Sequence, residues 1–302
     1  MQENHIEANV RVAGLDKPFS RNGNGITMTG KRCAFRLEMM MTKRTLRQAF
    51  LVGTLVPFGF AAQAQDAGFV QLTYGSINVS DGYSDRDYVG LNSRFVMTSN
   101  FALLLDVTRQ DREENVTSVS VGAEISVGPG KLRALFDTSD SDLGTAPDRK
   151  YALGYRYDAG PATGMIYDLE LSRAEYAGDI NATTLRGEAV KYYPPGPGGA
   201  YIIGQLRAAV TRPSGNADLG YDVAGVATIV TPGGLNIGAE IGFGKISYDL
   251  APLAAVNNGY TAFKPFVSYR ISDTAEVILR GEFVNSDLYE LQGASIGIRL
   301  GL

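Results

Sequence analysis

A chain of 302 residues with one cysteine, one histidine and no tryptophan is short of the usual materials of catalysis and metal binding. One cysteine excludes an internal disulfide and any cysteine-rich metal site. Charged residues are 20% of the chain against 44% hydrophobic, a balance that excludes disordered and collagen-like classes. No apolar run approaches the roughly 20 residues of a transmembrane helix, the longest being the 14 residues Ala49–Ala62. Glycine and tyrosine are plentiful, at 36 and 16 residues.

The apolar run has a processing signature. Lys43, Arg44 and Arg47 precede it, Gly53, Pro57 and Gly59 spoil it as a packed helix, and Ala62-Gln63-Ala64 follows as a small-x-small cleavage site. This predicts a secretory signal peptide over 41–64, cut between Ala64 and Gln65. Residues 1–40 have mixed charge, no periodicity and a run of methionines at Met39, Met40 and Met41. They read as a leader from a start placed too far upstream, with a cytoplasmic extension as the alternative. His5 and Cys33 lie ahead of the cut. Residues 65–302 would then hold 19 basic and 28 acidic side chains, a net charge of −9. Such a chain is a poor nucleic-acid binder. It also lacks the residue that most readily serves as a general base near neutral pH, so an enzyme is disfavoured and no cofactor is expected.

From Gly68 onward the pattern is one of period two. Val119, Val121, Ala123, Ile125 and Val127 share one face of a strand, against Ser118, Ser120, Gly122, Glu124 and Ser126. Leu235–Phe243 and Phe263–Ile271 alternate in the same way. Strands are predicted near 69–80, 87–97, 101–110, 116–127, 131–138, 149–158, 164–174, 182–192, 200–211, 218–230, 235–247, 260–271, 275–284 and 289–302. The class is all-β: fourteen strands, or twelve if 182–192 and 200–211 are misread. Their length suits membrane-spanning strands of roughly 9–11 residues.

The connections alternate too. Thr98-Ser99-Asn100, Gly128-Pro129-Gly130, Ala159-Gly160-Pro161, 194–199, 231–234 and Ser272-Asp273 are tight turns. The others, such as 81–87, 139–148 and 249–259, are longer or more acidic. Short turns at one end and longer loops at the other is the layout of a closed antiparallel transmembrane β-barrel. The last segment, Ala294, Ile296, Ile298, Leu300 and Leu302, alternates to the final residue, as closure against the first strand would require.

On these features residues 65–302 resemble Gram-negative outer-membrane barrel proteins of the porin-like type. In that family the last strand ends in an aromatic residue; here it ends in Leu302. Gly154-Tyr155-Arg156-Tyr157 and Leu169-Glu170-Leu171-Ser172 are also similar to YaiO-like barrels. The resemblance implies a location in the bacterial outer membrane, with lipid, lipopolysaccharide and the barrel assembly machinery as partners.

The face opposite the apolar one carries Arg94, Asp106, Glu124, Arg133, Asp137, Lys150, Arg156, Asp168, Glu170, Arg186, Glu188, Arg207, Asp222, Glu240, Lys264, Arg270, Glu276, Arg280, Glu282 and Arg299. Ten are basic and ten acidic, and eight of the basic ones are arginine, the residue suited to fixed carboxylate pairs in confined sites. They are the expected pore-lining set, with Gly90, Gly122, Gly154, Gly238, Gly242 and Gly297 expected to leave free cross-section. A solvated face of a β-sandwich is the alternative. Asp168 and Glu170, two residues apart, are expected to pair with Arg156 or Arg186 on neighbouring strands rather than to act as a catalytic dyad. Aromatic residues near strand ends, including Tyr88, Tyr151, Tyr157, Tyr167, Tyr192, Tyr193, Tyr201, Tyr260, Phe263 and Phe283, suit interfacial girdles.

Gly128-Pro129-Gly130-Lys131 and Gly242-Phe243-Gly244-Lys245 lack the spacing and following helix of a phosphate loop. Asp137, Asp140, Asp142 and Asp148 lack EF-hand spacing, so no metal is expected. The resulting expectation is a narrow passive channel for small hydrophilic solutes, made weakly cation-selective by acidic outer loops. A structural or assembly barrel with a salt-bridged, closed lumen is the alternative, and a lipid-modifying enzyme or protease is the least favoured reading.

Overall fold

The computed structural model describes residues 68–80, 85–111, 115–141, 146–176, 180–214, 218–246 and 258–302. The leader, the signal peptide and the Ala64–Gln65 junction lie outside the described residues. Fourteen strands follow one another: β1 (Phe69–Val79), β2 (Arg86–Thr98), β3 (Phe101–Asp111), β4 (Asn115–Val127), β5 (Gly130–Ser139), β6 (Arg149–Asp158), β7 (Met165–Tyr176), β8 (Ile180–Tyr192), β9 (Tyr201–Pro213), β10 (Gly220–Val230), β11 (Leu235–Ile246), β12 (Asn258–Ser272), β13 (Ala275–Ser286) and β14 (Glu290–Gly301). Both of the doubtful strands, β8 and β9, are present. The count is therefore fourteen, not twelve.

Each strand pairs with its neighbour in sequence, every pair is antiparallel, and β1 closes the ring on β14. Closure runs from Phe69↔Gly301 to Val79↔Leu291, and the Leu302 amide donates to the Gly68 carbonyl at 2.9 Å. No sheet edge is left for another chain to pair with. The turns joining β2–β3, β4–β5, β6–β7, β8–β9, β10–β11 and β12–β13 all lie at one end and run from two to eight residues. Gly234 shows why one of them is glycine. Its φ is 81°, its amide donates to the Thr231 carbonyl at 3.1 Å, and its carbonyl accepts from the Arg270 amide at 2.9 Å. Only glycine takes that backbone shape without strain.

β12 carries a proline at its centre. Pro265 is in register with Ala239 on β11, but the ladder to β13 skips from Phe263↔Phe283 to Phe266↔Arg280. Proline has no N–H to give, so the break falls where the chemistry requires it.

The alternation sorts side chains by kind. Leu72, Val121, Leu153, Leu171, Leu206, Ile237, Ile241 and Ile298 are all about half exposed on the outer surface. The inner face holds the polar residues, including Gln71, Thr73, Arg94, Ser120, Asn236 and Glu240, each under 9% exposed. Two small apolar clusters interrupt that polar lining. Ile166, Val190 and Ile203 sit near the short-turn end, with Tyr192, Tyr201 and Val230 against them. Val79, Tyr289 and Leu291 sit near the other end, with Ile77 and Val284.

Candidate functional site

The inner wall is where the charges meet. Arg94 on β2 reaches Glu124 on β4 at 2.7 Å, and Lys131 on β5 approaches the same carboxylate at 3.7 Å. Arg133 on β5 contacts Glu170 and Asp168 on β7 at 2.8 and 3.3 Å. Arg207 on β9 contacts Asp222 on β10 and Glu240 on β11, both at 3.3 Å. Lys150 pairs with Asp137 at 3.5 Å, Arg186 with Glu188 at 3.1 Å, and Lys264 with Glu282 at 2.6 Å. Arg299 lies 3.7 Å from Glu276, whose Oε1 also accepts from Ser268 at 2.5 Å. Asp106 accepts from Asn92 at 2.7 Å.

Several of these contacts skip a strand, and each skip crosses a small residue. Arg94 is in register with Leu104 and Glu124 with Ala102 on β3, so the pair closes above Ala102, which is 2% exposed. Arg133 is in register with Gly154 on β6, and a Cβ there would lie 3.3 Å from its guanidinium. Arg207 is in register with Ala224 on β10, which is 1% exposed. Tyr260 on β12 donates its hydroxyl to Asp222 on β10 across Gly244. Long side chains thus lie flat on the wall over residues too small to lift them.

This changes the reading of the inner glycines. Gly75, Gly122, Gly238 and Gly244 do not open the cross-section by themselves. Each is the seat of a neighbour in register: Tyr88, Leu135, Phe266 and Tyr260 respectively, with side-chain atoms within 3 Å of where a Cβ would stand. Asp168 and Glu170 have a further partner beyond the neighbouring-strand arginines in register with them, Arg156 and Arg186. It is Arg133, two strands away, because Gly154 clears the path, while Arg186 turns to Glu188 on its own strand.

Other expected positions are placed as follows. Arg156 and Arg280 are half-buried on the inward faces of β6 and β13. Arg270 shares the inward face of β12 but is exposed, at the register shift that ends the strand. Lys131, Gln71, Asn92 and Ser268 are inner-wall groups that sequence reasoning did not single out, although each follows from its strand's alternation. Asp140 accepts from the Thr117 amide, and no group of three or more His, Cys, Asp or Glu among the described residues could hold a metal.

The outer surface decides the class. Its exposed aliphatic belt is bordered by two aromatic bands. One, nearer the short turns, includes Tyr155, Tyr157, Tyr167, Tyr193 and Tyr269; the other includes Tyr74, Phe136, Tyr151, Tyr221, Phe263 and Phe283. Rings in both bands are near neighbours, as in Tyr157–Tyr167 at 6.5 Å and Phe136–Tyr151 at 5.3 Å. Four of the tyrosines expected in the girdles, Tyr88, Tyr192, Tyr201 and Tyr260, instead share the inward faces of their strands. A water-facing barrel would not present large apolar residues outward and ion pairs inward.

The chain has the fold of the outer-membrane β-barrels.

Similarity to solved structures agrees on the fold. A bacterial polysaccharide outer-membrane secretin aligns with a TM-score of 0.51 at 7% identity, covering 78% of this chain and 99% of the other. The outer-membrane protein Omp33 of Acinetobacter baumannii aligns with a TM-score of 0.49 at 15% identity, covering 79% and 100%. No protein-family model and no curated protein matches the sequence. Fourteen strands place this barrel between eight-stranded barrels filled by side chains and the 16–18-stranded porins with an aqueous channel.

Proposed function

We propose that this barrel is a narrow passive channel for small hydrophilic solutes in the bacterial outer membrane. The supporting observation is the direction of its ion pairs. Arg94–Glu124, Arg133–Glu170 and Arg207–Glu240 each span two strands along the wall, whereas the opposite wall of a fourteen-strand ring is seven strands away. Charges neutralised along the circumference line a passage without bridging it. A closed structural barrel would instead need pairs or apolar packing across the axis.

Transport of this kind uses no cofactor and no covalent step. Asp168 and Glu170, the carboxylates closest to a catalytic dyad, are both held by Arg133. Selectivity rests on the mouth. The twenty charged residues expected on the inner wall from the sequence carry both signs in equal number, while the long-loop end is acidic, with Asp85, Asp87, Asp111, Asp140, Asp148, Asp218, Asp287 and Glu290. That excess raises cation concentration within a Debye length of roughly 8 Å at physiological salt.

Recording from the protein purified from bacterial outer membranes and inserted in planar bilayers tests the reading. Discrete ohmic steps of small conductance support it. A barrel confirmed as folded that never conducts overturns it in favour of the structural reading.

A further inference from the structure

On the inner wall Arg94, Arg133, Arg186, Arg207 and Arg299 each have a carboxylate within reach. On the outer wall of β7–β9, at the long-loop end, two arginines do not. Arg173 on β7 and Arg212 on β9 are exposed and form no ion pair or side-chain hydrogen bond among the described residues. Both are in register with Thr183 on β8, so they stand on either side of one short, exposed side chain. Two strand spacings, roughly 10 Å, separate their backbones, a gap that two arginine side chains close from both sides onto a group between them.

The rows on either side fix the depth of this pair. Two residues toward the short turns, Leu153, Leu171, Leu185 and Val210 make an unbroken apolar row across β6–β9, each about half exposed. Two residues the other way, Arg149 stands opposite Glu175 near the strand ends. Tyr151, a member of the aromatic band, is in register with Arg173 itself. The outer wall thus passes from aliphatic to charged within about 7 Å along the strands, which puts Arg173 and Arg212 at the level of lipid headgroups. At such a boundary an arginine stem rests on apolar neighbours while its charge stays in the polar layer.

Charge selects the occupant. Glu175 offsets Arg149, which leaves Arg173 and Arg212 with no acid in their own row. The outward side of β2 and β3 differs, because Asp87 and Asp111 stand in the row next to Arg109. Two uncompensated arginines at the edge of a lipid-facing belt call for an anion fixed in the membrane surface, and the guanidinium fork matches the oxygens of a phosphate.

We propose that Arg173, Thr183 and Arg212 form a binding site for the phosphate group of a membrane lipid. Both guanidinium groups and the Thr183 hydroxyl donate to phosphate oxygens, and the acyl chains lie along Leu171, Leu185 and Val210. The inference rests on the aliphatic belt facing lipid and is independent of conduction.

The test titrates the purified full protein, in non-ionic detergent, with dioleoyl phosphatidic acid and counts bound lipid by native mass spectrometry. Dioleoyl phosphatidylcholine, oleate and inorganic phosphate are the controls. One phosphatidic acid is expected to bind at least tenfold more tightly than phosphatidylcholine or oleate, and inorganic phosphate is expected not to displace it. Arg173→Gln combined with Arg212→Gln should weaken that binding at least tenfold, as should Thr183→Glu, which sets an anion in the gap; if either fails to fold, the other is read alone. Arg109→Gln should leave it unchanged. Unchanged binding in the folded site variants overturns the site, and an equal loss in Arg109→Gln does so too. Oleate matching phosphatidic acid overturns the phosphate assignment, and displacement by inorganic phosphate overturns the lipid as its source. Binding as expected in a barrel that never conducts upholds the site and overturns the channel alone.

Discussion

The Arg133 guanidinium meets Glu170 at 2.8 Å by lying across the bare backbone of Gly154, one strand short of its partner. The contact depends on three strands at once. It joins charge to the absence of a side chain, and that pairing recurs around the inner wall wherever a long side chain reaches past its neighbour.

Removing the bed should therefore break the pair. Gly154→Val is expected to push Arg133 off Glu170 toward the axis, lowering single-channel conductance while the barrel still forms. Arg133→Ala should leave Asp168 and Glu170 facing each other and cost roughly 1–3 kcal/mol. Unfolding midpoints in denaturant, read beside conductance, separate the two effects. Unchanged conductance in Gly154→Val would contradict the flat-lying geometry.

Not all glycines should behave alike. A Cβ on Gly238 would lie 2.3 Å from Phe266 Cζ and 2.5 Å from the Ala227 carbonyl oxygen, whereas one on Gly187 meets nothing within 4 Å. Gly238→Ala is expected to destabilise by about 1–3 kcal/mol through overpacking, and Gly187→Ala by close to nothing. Equal losses at the two sites would remove the argument that inner glycines seat their neighbours.

The lipid face makes a second contrast. Arginine replacing Val121 or Ile237 near mid-depth should cost roughly 2–4 kcal/mol, against much less for exchanges at Glu124 or Arg299. Cysteines introduced singly along β4 should label alternately with lipid-soluble and water-soluble thiol reagents. Water-soluble labelling on both faces would overturn membrane insertion.

Selectivity is expected to be weak and salt-dependent. Reversal potentials across a salt gradient should show cation preference at low ionic strength that fades as salt rises, since the acidic loops act through a screened field. A preference for anions would refute the mouth argument and shift control to the inner arginines.

Processing gives a further check. Intact mass of the outer-membrane form is expected to begin at Gln65, without His5 or Cys33. A species retaining residues 1–40 would withdraw both the secretion signal and the argument from a missing histidine.

The class of fold was legible in the chain because strand side chains alternate with period two, and a barrel forces every strand to show the same alternation. Ser118–Val127 and Leu235–Phe243 display it without interruption, and the turn residues between segments marked fourteen strands, with twelve left open until β8 and β9 were both seen in the ring. The inward set followed from the same parity. Which way the faces point did not follow from it, since alternation reads the same in a water-filled or a lipid-bound barrel; the exposed aliphatic belt and its two aromatic bands decided that. Partners were out of reach as well. Arg133 was assigned no partner by spacing, and its reach to Asp168 and Glu170 was missed, because register between β5, β6 and β7 is a tertiary quantity. Arg173, Thr183 and Arg212 fall into one outward row only once β7, β8 and β9 lie side by side. Local sequence determines which face a residue takes; closure of the ring determines which residues share a wall, and chemistry between side chains begins only there.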